Sequence, residues 1–149
     1  MGIKTALLQQ CLEYVNARLR TVEETIQSHR KALSSETKSS AGDKHETGRA
    51  MLQLEMEKAG QQLTSILQMK EVLSKINVTR KSSAISLGTL VETNSGRYFL
   101  SISAGEITVD SKPYFAISTA SPIGKLMLGK KTGEILIWNG KEINIEKIS

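Results

Sequence analysis

The chain has 149 residues, of which 39% are hydrophobic and 23% charged; this fits one or two small domains and selects no function. A net charge of +5 and a pI near 9.4 suit an acidic partner, but the basic residues are scattered and no Lys/Arg run forms a binding arm. Aromatic residues at 4% argue against a base-stacking surface, a lone cysteine excludes an internal disulfide, and no apolar run is long enough to span a membrane.

The first predicted element is a helix from near Lys4 to Leu33. Leu8, Leu12, Val15, Leu19, Val22, Ile26, His29 and Leu33 recur at alternating steps of four and three, the seam of a heptad helix. Cys11 falls beside this seam and reads as a small hydrophobe. A thiol acyl-transfer role would require a base held against that sulfur, and the two histidines, His29 and His45, stand far along the chain. His29 reads as a partly buried seam residue, because no second metal-type ligand stands beside it at helical spacing. The N-terminal MGIKTALLQQCLEYV has neither a long apolar run nor a small-residue cleavage site, so a cytoplasmic location is expected.

Ser34 to Gly42, SSETKSSAG, is small and polar and is expected to form the turn. Asp43 and Glu46 follow, three residues apart. As N-cap and third helical residue they read as a capping-box variant, and both charges suit a helix N-terminus. The second helix carries Leu52, Met56, Ala59, Leu63, Ile66, Met69, Leu73 and Ile76 on its stripe, with Gly60 a tolerated weakness. Two such helices joined by a short polar segment fold back on each other to bury their stripes. That predicts an antiparallel coiled-coil hairpin over residues 1–78, with an acidic tip near 34–46.

After Asn77–Ser83, NVTRKSS, the pattern changes to short β-rich runs: LGTLVET, RYFLSIS, EITVD, YFAIS, EILIW and EINIEKI. Asn94-Ser95-Gly96, Ala104-Gly105, Ser111-Lys112-Pro113 and Asn139-Gly140 separate them, the last being a two-residue hairpin signal. One helical insertion stands at SPIGKLMLGKKTG, with Ser121 placed to cap, Pro122 at the first helical position and Gly129 or Gly133 to end it. Residues 79–149 thus read as a small β-rich domain with one short helix, and the whole chain as α+β.

Two of these segments carry a resemblance. Gly42-Asp43-Lys44-His45-Glu46 is similar to the Gly-Asp-x-x-Glu at the hairpin tip of the Gre-type transcript-cleavage factors of bacterial RNA polymerase. Ser121-Pro122-Ile123-Gly124-Lys125 and the run to Glu134 resemble that family's Ser-Pro-leucine-rich helix followed by Gly-Lys and Gly-Asp. The resemblance spans nearly the whole chain. It implies a β domain like the FK506-binding proteins that docks on RNA polymerase through Ser121, Pro122, Ile123, Gly124 and Lys125, and a hairpin that enters the secondary channel. There Asp43 and Glu46 would share a Mg²⁺ ion with the polymerase and promote hydrolysis of backtracked RNA. It further implies a transcription elongation factor, monomeric and no enzyme by itself, that meets nucleic acid, DNA included, only through the elongation complex. This sequence departs from the family pattern at Thr47 and Ala50, where Asn and Tyr are usual, and His45 replaces a small residue. A channel-binding regulator or inhibitor without cleavage activity is the alternative. The FK506-like fold implies no prolyl isomerase activity, since no aromatic-lined pocket is legible.

Overall fold

The computed structural model describes the backbone of residues 2–38 and 43–149, and the side chains of residues 2–35 and 48–149. Two long helices, α1 (Ile3–Lys38) and α2 (Asp43–Ser74), form a helical hairpin, and a six-stranded mixed sheet with one short helix follows. At 1.5 Å per residue the 36 residues of α1 extend about 54 Å. The helix runs five residues past the end that its apolar stripe marks. Loss of apolar residues removes a helix's packing partner, but Ser34–Lys38 contains no proline or glycine to interrupt its backbone hydrogen bonds.

The chain divides into two compact units, Val15–Lys70 and a second made of Met1–Tyr14 with Glu71–Ser149. Within the first, Val15, Val22, Ala59 and Ile66 are buried. Leu19, Ile26, His29, Leu33, Leu52, Met56, Leu63 and Met69 are half-buried. Every predicted stripe position in this unit is therefore at least partly withdrawn from water, as a heptad seam requires.

The second unit is built on β1 (Leu90–Thr93), β2 (Arg97–Ser101), β3 (Gly105–Val109), β4 (Lys112–Ser118), β5 (Ile135–Trp138) and β6 (Lys141–Ile148), with α3 (Pro122–Met127) between β4 and β5. The strand order is β3-β4-β2-β1-β6-β5. Only β2 and β4 run parallel, with Phe99 opposite Ala116 and Leu100 opposite Ile117. All six predicted runs are strands, and Asn139-Gly140 forms the β5–β6 turn with φ of 52° and 77°. The β3–β4 turn differs from expectation: it falls on Asp110 and Ser111, both at positive φ, and Pro113 lies inside β4. A proline is tolerated there because β4 pairs with β2 only from Phe115 onward, so Pro113 has a ladder neighbour on one side alone.

The strand alternation gives the sheet two apolar faces. On one, Val91, Leu100, Leu136, Ile143 and Ile145 cluster with Ile85 and with Met127 of α3. On the other, Leu90, Phe99, Ser101, Ile107, Tyr114 and Ala116 are buried. The start of α1 covers this second face. The Cys11 thiol lies 3.7 Å from the Ser101 hydroxyl, and the Gln10 amide donates to the Thr108 carbonyl at 2.7 Å. Leu7 and Cys11, one helical turn apart, are wholly buried, so the first turns of α1 carry a row of apolar residues beside the predicted seam.

Candidate functional site

The two segments that the sequence singles out are positioned by different means. Asp43 opens α2, and Glu46 falls in the same first turn. Residues three apart on a helix share a face. Gly42 and the side chains of Asp43, Lys44, His45, Glu46 and Thr47 lie outside the described residues. The donor set fits Mg²⁺ in kind: hard carboxylate oxygens are its preferred protein ligands, and it ordinarily takes one or two of them, leaving its other positions to water and phosphate.

The Ser121–Lys125 segment is fully described. Ser121 has an extended backbone (φ −69°, ψ 157°), and its hydroxyl accepts from the Gly124 N–H at 3.1 Å, which caps α3. The same hydroxyl donates to the Ser118 carbonyl at 2.6 Å, and the Ser118 hydroxyl accepts from the Ala120 N–H at 3.0 Å. Pro122, at the first helical position, has no N–H to leave unsatisfied. Gly124 is required by space: a Cβ there would collide with the Ser118 carbonyl oxygen and lie 2.9 Å from the Ser121 hydroxyl. Ile123 packs against the core cluster, and Met127 is fully buried within it.

The predicted docking residues thus separate by role. Ser121, Ile123 and Gly124 are occupied in capping, packing and close approach, whereas Pro122 and Lys125 face solvent. Leu126 and Leu128, 40% and 41% exposed, extend the solvent-facing side of the segment with apolar surface. Sequence reasoning placed both in the motif but not among the docking residues. Their signal is the run KLML, in which alternate helical directions are apolar and only Met127 points inward.

His29 occupies its predicted seam position half-buried, and its Nδ1 is enclosed without a hydrogen-bond partner among the described residues. Cys11 is enclosed too, and burial pushes its thiol pKa above the ordinary range, opposed by the Ser101 hydrogen bond. A buried thiol with a raised pKa, whose partner among the described residues is a serine hydroxyl and not a base, is a packing residue. Among the described residues no helix is long and apolar enough to cross a membrane.

No family model matches the chain, and no curated protein matches it. Among solved structures the chain is similar to one described as "Structure of the transcription factor Gfh1", at 26% identity over 91% of each chain and a TM-score of 0.36. At that score the likeness carries no argument by itself.

Proposed function

We propose that this chain is a Gre-type accessory factor of RNA polymerase. The β domain docks on the polymerase, and the hairpin enters its secondary channel. Asp43 and Glu46 are delivered to the polymerase active site, where they stimulate cleavage of backtracked RNA. The observation that carries this reading is the pairing of Gly42-Asp43-x-x-Glu46, where the second arm of a helical hairpin begins, with the Ser121–Glu134 motif on a following sheet domain.

The division of labour follows from the residues. In this reading the factor supplies two carboxylates to a metal site that the polymerase completes, and it is not an enzyme alone. A Mg²⁺ ion bound there would polarise the scissile phosphate and lower the pKa of a water molecule. Asp43 and Glu46 would hold the ionised oxygens in place and orient that water through hydrogen bonds. Pro122 and Lys125, with Leu126 beside them, offer the β domain's contact surface, which Ser121 and Gly124 keep in shape.

Thr47 and Ala50, in place of the family's usual Asn and Tyr, favour a second reading, a channel-binding regulator that does not promote cleavage. Both readings are tested by transcript cleavage in a stalled, backtracked elongation complex across a magnesium titration. Asn caps a helix as well as Asp does, so Asp43→Asn should leave thermal stability within a few tenths of a kcal/mol, roughly, while removing most of the stimulation. Glu46→Gln should behave alike, since Gln serves the third position of a capping box as Glu does and loses the charge. Stimulation that survives both substitutions refutes the metal role. Channel-dependent inhibition with no stimulation by the wild type selects the second reading.

A further inference from the structure

A small cleft lies between the first turn of α1, the end of α2 and the loop that leads into β1. Lys4, Lys75 and Arg80 line it together with the hydroxyl-bearing Ser82, Ser86 and Thr89, and no Asp or Glu is among its lining residues. Lys75 and Arg80 stand close together in the stretch that follows α2, and the fold of this compact unit brings Lys4 to them from the first turn of α1.

Their charge is poorly compensated. The Lys4 ammonium donates to the Arg80 carbonyl at 3.2 Å, a neutral acceptor. Burial without a counter-charge lowers the Lys4 pKa, as it does for an ammonium that has lost water and gained no anion. Among the described residues neither Lys4 nor Arg80 has a carboxylate within ion-pair distance. Lys75 meets Glu71 at 3.8 Å, but both side chains are mostly exposed and such a pair contributes little. On the cleft wall Ser86 and Thr89 hold their hydroxyls 3.4 Å apart, and the Ser86 N–H donates to the Thr89 hydroxyl at 3.1 Å.

We infer that this cleft is a binding site for a phosphate oxyanion, held by Lys4, Lys75 and Arg80 and by the Ser86 and Thr89 hydroxyls. A carboxylate is planar and is satisfied by a single two-pronged partner. Three cationic residues and several hydroxyls lining one cleft match an anion that carries oxygens in several directions and more than one charge. The site is independent of the polymerase reading, because none of its residues belongs to the hairpin tip or to the Ser121–Lys125 segment.

The test is a titration of the full chain with sodium phosphate, sodium pyrophosphate and sodium acetate at constant ionic strength, followed by amide NMR. Saturable shifts at Leu87, Gly88 and Thr89 with phosphate and pyrophosphate, and none with acetate, are expected. Lys4→Gln and Arg80→Gln should each weaken binding at least about tenfold, the effect of losing one charge-assisted hydrogen bond. Lys75→Gln, at an exposed helix end, supplies a variant whose folding is not at risk and should weaken binding in the same direction. Lys141→Gln, an equal change of net charge at the start of β6, should leave binding intact. Shifts that never saturate, acetate acting as well as phosphate, or Lys141→Gln weakening binding as much as Arg80→Gln would each overturn the site.

Discussion

The Val15–Lys70 hairpin and the sheet unit stabilise themselves in opposite ways. In the hairpin each buried residue answers to near neighbours along a seam. Between Val15, Val22, Ala59 and Ile66 the stripe is only half-buried, while Met51, Leu54 and Leu67 stand 64%, 58% and 48% exposed. In the sheet unit Phe99 and Leu100 are wholly buried on opposite faces, and β2 is laddered to its chain neighbour β1 on one side and to the parallel β4 on the other. A seam loses stability locally when one position is changed. A two-faced core has no neighbours free to relax, so one defect is felt throughout.

The largest expected effect sharpens that contrast. Phe99→Ala should cost about 3–5 kcal/mol, because it leaves a cavity between β1 and β4. Leu63→Ala, at a half-buried seam position, should cost about 1–2 kcal/mol, since only part of its apolar area leaves water. Chemical denaturation of both variants measures the difference, and equal losses would break the comparison.

Glycine provides a second contrast. Gly124→Ala forces a methyl group against the Ser118 carbonyl and should destabilise the protein by about 1–3 kcal/mol. Gly60→Ala on α2 has nothing within 4 Å of the added carbon and should stabilise the helix by about 0.5–1 kcal/mol. Thermal melts read the opposite signs. They also separate packing from docking, because a Gly124 variant that loses stability cannot report on a partner contact by itself.

The smallest effect concerns pH at the root of α1. Burial raises the folded-state pKa of Cys11. The neutral thiol is thus favoured in the folded state, and its contribution is fully present below the unfolded-state pKa, roughly 8.5. It is lost as the pH rises through that value toward the higher folded-state pKa. The melting temperature of the wild type should therefore fall more steeply on the alkaline side than that of Cys11→Ala. Parallel pH profiles for the two proteins would mean that the thiol is not withdrawn from water as described.

Much of this was legible in the sequence because it is periodic or local. The heptad steps from Leu8 to Leu33 and from Leu52 to Ile76 define two helices that need each other. The Asn139-Gly140 turn, the cap at Ser121 and the change to alternating residues after Ile76 each depend on neighbours within a few positions. Tertiary structure decided what depends on approach between distant residues. The parallel pairing of β2 with β4 and the placement of Pro113 within β4 cannot be read from either strand alone. The burial of Leu7 and Cys11 against Ser101 adds a second stripe to a helix whose heptad already accounted for its apolar pattern. Gly124 looked like one more residue of a docking motif until the Ser118 carbonyl appeared beside it. The approach of Lys4 to Lys75 and Arg80 has no local signature, since charges distant along a chain acquire a common field only when the fold brings them to one place.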